Sequence, residues 1–275
     1  AVKRAPYILH VSDLYPDSAI ELGMLSDRRA IRAARRLEDA CYGRAAAVTA
    51  PTEGIVERLA ARAHPPARVQ QIRPLVELDR FDPAPRPSPR EGPLRVLYAG
   101  AIGLAHGVQT LVDAAIIAGR DVIELSIAGD GEQAASIRDA VAAAGADHVK
   151  LLGLVAPEEV PALYEATDVA AVVLRDRPLF RSALPTKLFE AMAAARPVVF
   201  SGAGEAAGLV ERHGVGAVVA PEDPVALAAA LTTLATTNGT RLADQGARGR
   251  ALAAGYSLEH AVDRWAAILS DVSTR

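Results

Sequence analysis

What most restricts the fold of this chain is a repeated alternation of short apolar runs with helical patterns. From Leu94 onward it reads as strand "LRVLYAG", helix "GVQTLVDAAIIAG", strand "IELSIAG", helix "EQAASIRDAVAAAG", strand "VKLLG", helix "EEVPALYEATD", strand "VAAVVL", helix "PTKLFEAMAAA" and strand "PVVFS". Strands joined through helices run parallel, because the return path crosses over the sheet and covers it. A complete doubly wound domain is expected here. It continues as helix "EAAGLVERH", a short strand "GAVVA", helix "PVALAAALTTLATT" and two closing helices around "RLADQGARGRALAAG" and "SLEHAVDRWAAILSDVS".

A shorter alternation precedes it: strand "YILHV", helix "DRRAIRAARRLEDACYG", strand "AAAVTA", helix "PTEGIVERLAARA" and strand "RVQQI". About three strands fall below the usual ~4–6 of a sheet, so further strands are expected ahead of Ala1. Between the two series lies "DPAPRPSPREGP", where Pro83, Pro85, Pro87, Pro89 and Pro93 remove backbone donors and hold the chain extended. The fold class is therefore α/β, with two Rossmann-like doubly wound domains, the first incomplete. The expected division is a partial first domain over 1–81, a linker over 82–93 and a second domain over 94–255. The last helix, 256–275, is expected to pack back toward the first domain.

Bulk properties exclude several function classes. Net charge is −3 among 275 residues, with cations and anions interspersed, so no basic stripe offers a nucleic-acid footprint. Apolar runs such as "DVAAVVL" fall far short of the ~20 residues that span a bilayer. The amino end, "AVKRAPYILHVSD", lacks a secretory pattern, and a cytosolic setting is expected. Cys41 is the one cysteine, which excludes an internal disulfide and a thiolate metal cluster and is expected to be a buried thiol.

In an open parallel sheet, ligands bind beyond the carboxyl ends of the strands, where glycine turns admit a phosphate and helix amino ends favour negative charge. The first such turn, "AGAIGLAHG", carries Gly100, Gly103 and Gly107 but misses the dinucleotide spacing G-x-G-x-x-G. His106 within it either donates to a phosphate or is a surface imidazole. In the second turn, "AGDGEQ", Asp130 stands where a dinucleotide fold holds its ribose-binding acid, though farther from the glycine loop than usual.

The third turn, "SALPTKLFEAMAAARPVVFSGAGE", carries most of the chemistry. Pro185 suits an early helical position, since first-turn amides lack an intrahelical acceptor, and those amides then face the cleft. At 100° per residue, Lys187 and Glu190 share one side with Ala194, while Leu188 and Met192 take the side that buries. The pair is thus expected to face away from the core. As an exposed pair it is worth only ~0.2–0.5 kcal/mol. As a site, a cation beside helix-terminal amides suits a phosphate, and a carboxylate one turn on accepts ribose hydroxyls.

With these motifs the chain resembles the family-4 glycosyltransferases of the GT-B fold, in particular their bacterial surface-polysaccharide branch. The residues that carry the resemblance are "SDLYPDSAIELGML", "VQQIRPLVELDRFDP", "LRVLYAGAIGLAHGVQTLVDAA", "IAGDGEQ", "VKLLGLVAPEEVPALYEATDV", "ALPTKLFEAMAAARPVVFSGAGE" and "GVGAVVAPEDP", in the family's order. The resemblance implies transfer of a hexose from a nucleoside diphosphate sugar to an acceptor hydroxyl with retention, needing no metal or other cofactor. It implies that Glu190 binds the donor ribose, that Lys187 and the amides from Leu184 through Pro185 to Thr186 lie by the diphosphate, and that Leu154 and Val155 border the base. Gly100 and Gly103 would form the facing phosphate loop. Lys187 would be the main catalytic cation.

The sequence departs from the family pattern at three places. The family's paired carboxylates sit eight positions apart, and eight before Glu190 stands Ser182, which takes the place of the sugar-contacting acid. In the glycine loop Ala101 and His106 stand where the family often has cations or Asn. Family members also carry about half an acceptor domain ahead of "DLYP", so this chain is expected to be a fragment or to need a complementing chain or a second copy. Ser12 aligns with a strand-end His of the family, leaving Asp13 as the nearest polar candidate for the catalytic acceptor side. Asp13 and Asp17 either orient acceptor hydroxyls or cap the following helix.

The expected partners are a nucleotide-sugar donor and a sugar or lipid-linked acceptor, with peripheral contact at the inner membrane face. Two other readings stand beside this one. A non-catalytic nucleotide-sugar or partner-binding module fits Ser182 and the short first domain, and an NAD-dependent oxidoreductase fits the glycine turns and Asp130.

Overall fold

The structure, a computed structural model, describes residues 5–61, 69–81, 83 and 92–273. The chain forms two compact units. One holds Ala1–Leu75, Arg177–Leu184 and Tyr256–Arg275, and the other holds Val76–Asp176 and Pro185–Gly255. Of the Pro-rich stretch 82–93, all but Pro83, Gly92 and Pro93 lies outside the described residues.

In the first unit β1 (Ile8–His10), α1 (Asp17–Glu21), α2 (Arg28–Arg44), β2 (Ala47–Ala50), α3 (Glu53–Ala60) and β3 (Val69–Gln71) follow in order. The strands lie in the order β1-β2-β3, all parallel, with Leu9 opposite Val48 and Val48 opposite Val69. Alternation along β2 divides its side chains between two faces. Val48 and Ala50 pack with Tyr42, Ile55, Leu59 and Leu179, whereas Ala47 packs with Ile72 and with Ile268 and Val272 of the C-terminal helix Leu258–Ser273. The segment Arg177–Leu184 thus anchors to this unit through Leu179, and the C-terminal helix through an apolar stripe.

Local chemistry starts the helices of this unit. Asp27 accepts from the amides of Arg29 and Ala30 to cap α2, and Thr52 accepts from Ile55 to cap α3. The capping role that the sequence allowed Asp13 and Asp17 is not realised. The N-cap of α1 is Pro16 without a side-chain bond, and Asp17, inside the helix, pairs with Arg35 at 3.0 Å. Asp13 is exposed, and Cys41, expected to be buried, is only half-buried.

The second unit contains β4 (Leu94–Ala99), α4 (Val108–Ala118), β5 (Ile123–Ala128), α5 (Ala134–Ala143), β6 (Val149–Gly153), α6 (Val160–Glu165), β7 (Val169–Val173), α7 (Thr186–Ala193), β8 (Val198–Ser201), α8 (Glu205–His213), β9 (Gly216–Val219), α9 (Pro224–Thr236) and α10 (Gly239–Ala253). Its six parallel strands lie in the order β6-β5-β4-β7-β8-β9. The short strand read in "GAVVA" is β9, at the edge. Every residue of β7 is buried, as expected of a parallel strand covered on both faces. The core under α4 and α9 joins Val96, Ile127 and Ala171 of the sheet to Leu111, Leu227 and Leu231 of the two helices. Among the described residues no helix is long and apolar enough to cross a membrane.

Candidate functional site

Strand order in the second unit reverses between β4 and β7, and a doubly wound sheet opens its ligand crevice at that reversal. The loops that follow β4, β5 and β7 meet there. All five helices that follow β4 to β8 begin without a side-chain cap, whereas Asp223 caps α9 and Asn238 caps α10. Uncapped amino ends leave amides and the positive end of the helix dipole for a ligand.

The glycine loops are stitched edge to edge. Gly100 donates its amide to Ala128 at 2.8 Å, Ile102 to Asp130 at 2.9 Å, Gln133 to Ile102 at 3.0 Å, and Gly129 to Gly153 at 2.8 Å. A Cβ on Gly129 would come within 1.9 Å of the Gly100 carbonyl oxygen, so only glycine permits this approach. The side chain of Asp130 accepts from the amide of Gly131, within its own loop. The carboxylate that suggested a dinucleotide fold is therefore committed to shaping a turn.

Helix α7 differs from expectation in two respects. Pro185 is its N-cap, in extended conformation, and Thr186 is the first helical residue. Lys187, expected on an outward face, is 7% exposed. Its ammonium donates to the Tyr98 hydroxyl at 2.6 Å and lies 4.1 Å from the centre of that ring, and the hydroxyl in turn donates to the Ala101 carbonyl at 2.6 Å. The pair is thus not a surface ion pair. Helical periodicity located the face but not what covers it.

The electrostatics follow from this burial. Desolvation lowers Lys187 from 10.5 to about 7, against an opposing pull from Glu190. Glu190 is half-buried, and burial raises its carboxyl while the nearby Arg80 and Lys187 charges lower it. Burial and the Lys187 charge push His106 down to about 4, with a backbone contact to Gly103 opposing. The His106 Nδ1 is buried without a hydrogen-bond partner. His106 is therefore a neutral, partly enclosed imidazole in the loop rather than a surface one.

Around this centre, Leu154 is 84% exposed and Val155 half-buried in the loop after β6, where Arg80 donates to the Pro157 carbonyl at 2.6 Å. Gly103 is half-buried beside His106. Ser182, buried, closes the short 3-10 turn Phe180–Ser182, and with Leu184 it belongs to the segment grouped with the first unit. Among the described residues no three His, Cys, Asp or Glu side chains converge as metal ligands. The structure thus brings together Gly100, Gly103, Thr186, Lys187 and Glu190. It adds Tyr98 and Arg80, which sequence reasoning passed over. The one signal for Tyr98 was a hydroxyl near the end of a strand whose remaining residues, Arg95 apart, are apolar.

A family model described as glycosyl transferases group 1 matches residues 93–237, the sheet and loops that build this site. A glycosyl transferase 4-like domain model matches residues 1–74. The chain belongs to the group 1 glycosyl transferases. The 2-deoxystreptamine glucosyltransferase of Streptomyces kanamyceticus is 34% identical over 176 residues, 58% of this chain and 44% of that protein. The probable glycosyltransferase WbjE of Pseudomonas aeruginosa is 24% identical over 232 residues, 81% of this chain and 58% of that protein. The chain spans about half the length of the curated relatives it matches. Among solved structures, Anabaena HepE in complex with UDP and glucose matches with a TM-score of 0.77 at 20% identity, over 97% of this chain and 72% of that one. Sucrose-phosphate synthase from Thermosynechococcus elongatus matches with a TM-score of 0.76 at 22% identity, over 97% and 68%. This group 1 member thus shares the two-domain α/β fold of the GT-B glycosyltransferases.

Proposed function

We propose that this chain binds a nucleoside diphosphate sugar and serves its transfer to an acceptor hydroxyl with retention, in the making of a polysaccharide or glycoconjugate. The observation that carries the proposal is a buried lysine and a half-buried carboxylate in the first turns of an uncapped helix at the strand-order reversal. Glu190 would accept the ribose hydroxyls. The α7 amides and Lys187 would take the diphosphate, and Gly100 and Gly103 would face it from the β4 loop. Leu154 and Val155 would border the base. That HepE was solved with UDP and glucose, and that a curated relative is a glucosyltransferase, supports a nucleotide-activated sugar as donor.

The demanding step is departure of the diphosphate. As the bond from the anomeric carbon to the phosphate oxygen breaks, negative charge grows on that oxygen, and fixed amides and an ammonium offset it without reorganising. The acceptor oxygen forms its bond on the same face, and its proton passes to the departing phosphate. In this scheme no step needs a metal or other cofactor. On the acceptor side Asp13 would orient the hydroxyl of a sugar or lipid-linked acceptor, a role that pairs with peripheral work at the inner membrane face. Ser182, in place of the family's second carboxylate, leaves the sugar one contact poorer and keeps a non-catalytic donor-binding module as the second reading.

Titration calorimetry with UDP and GDP tests the binding step. One of them is expected to bind, and Glu190→Ala and Lys187→Ala are each expected to weaken binding by ~10-fold or more. Equal affinity of both variants and the parent would overturn the assignment. Incubation with a panel of nucleotide sugars and a simple sugar acceptor separates transfer, read as an α-linked product by NMR from an α-linked donor, from binding alone.

A further inference from the structure

We propose that Tyr98 is a positioning residue of this site: its hydroxyl, oriented by the Ala101 carbonyl, holds the Lys187 ammonium against the glycine loop where an incoming diphosphate would meet it. The inference rests on the nucleotide-sugar reading above and names a further residue for it.

The hydrogen-bond directions are dictated by chemistry. A phenol has one proton, and the Ala101 carbonyl can only accept, so the Tyr98 proton goes to Ala101 and an oxygen lone pair is left for Lys187. The same oxygen therefore ties the loop backbone just after Gly100 to the cation of α7. Tyr98 is fully buried on β4, so its hydroxyl must find partners within the fold, and both are functional elements of the crevice. The lysine stem is flexible by nature, yet here it is confined from two sides. The ring lies 4.1 Å from Nζ, and a Cβ at Gly100 would stand 2.9 Å from both Cε and Nζ. Any side chain at position 100 would displace the ammonium.

The surroundings leave that charge to be matched by a ligand. Facing Lys187 are Tyr98 on β4, the neutral His106 in the β4 loop, Tyr164 on α6, whose hydroxyl reaches the Lys187 carbonyl at 3.4 Å, and Glu190 on α7 with Arg80 beside it. Among the described residues no carboxylate forms a salt bridge with Lys187. A neutral oxygen and a ring face hold the ammonium in place without neutralising it. A carboxylate in the position of Tyr98 would have neutralised it.

Tyr98→Phe keeps the ring and removes only the oxygen. Binding of UDP and GDP by calorimetry is compared across the parent, Tyr98→Phe, Lys187→Met and the double variant, and the Lys187 Cε resonance is followed against pH in carbon-13 lysine-labelled protein. Tyr98→Phe is expected to weaken nucleotide binding by ~5–10-fold, to add nothing in the Lys187→Met background, and to move the lysine titration to lower pH, since the charged form loses an acceptor. Parent-like binding with an unmoved titration in Tyr98→Phe, while Lys187→Met binds weakly, overturns the positioning role and leaves the donor site standing. A loss that persists undiminished in the Lys187→Met background also overturns it, because Tyr98 then acts through another group. Absence of UDP and GDP binding by the parent removes the nucleotide-sugar reading and this inference together.

Discussion

At Lys187, burial and charge oppose one another. In the unfolded chain the side chain titrates near 10.5, and in the folded protein near 7. Between those values the unfolded chain binds more protons, so this residue makes stability rise with pH over that window and costs most stability at and below its lower end. Lys187→Met is therefore expected to raise the melting temperature by a few degrees at pH 7, with the gain shrinking toward pH 10. A pH-independent gain in calorimetry would contradict the assignment. The same substitution should weaken nucleotide binding, so stability and function pull in opposite directions at one position. Gly100→Ala tests the adjoining contact. It puts a Cβ 2.9 Å from Nζ at a backbone φ of +144°, and is expected to weaken UDP or GDP binding by ~10-fold or more, read by calorimetry.

Among the elements, α2 and α7 show two uses of a helix amino end. Helix α2 buries only Tyr42 of its 17 residues, so its stability leans on local chemistry, above all on the Asp27 cap. Asp27→Ala is expected to cost ~1 kcal/mol in urea unfolding of the first unit and to leave nucleotide affinity unchanged. Helix α7 buries six of eight residues and begins on an uncapped Pro185. Packing holds it, so its amides need no side chain of their own. The strand-helix alternation was fully legible for α7 and its neighbouring strands because a covered parallel sheet writes itself as continuous apolar runs. Helix α1 was not legible, since five residues carry too little periodicity to register.

For the molecule as a whole, the two units predict a local response to donor. Hydrogen exchange with saturating UDP or GDP is expected to slow at 100–107, 129–133 and 185–190, and to stay unchanged in β1, β2 and β3. Protection confined to the first unit would place the nucleotide elsewhere. The family match over residues 93–237 spans all six strands of that second unit, which is where the sequence carried its strongest pattern.

The sequence by itself determined the layer architecture, the parallel strands, the glycine turns and the helix that carries Lys187 and Glu190, because these follow from periodicity and from residues with special backbone freedom. Only the tertiary structure decided what those residues meet. Periodicity turned Lys187 away from the sheet beneath its own helix, but β4 and its loop, nearly ninety positions earlier, close over that face with Tyr98 2.6 Å away. Asp130 drew attention through its spacing and is spent on its own turn, while Ser182 is grouped with the first unit. Contacts between residues so far apart in the chain depend on strand order, and strand order is settled by how whole elements pack, which no local pattern records.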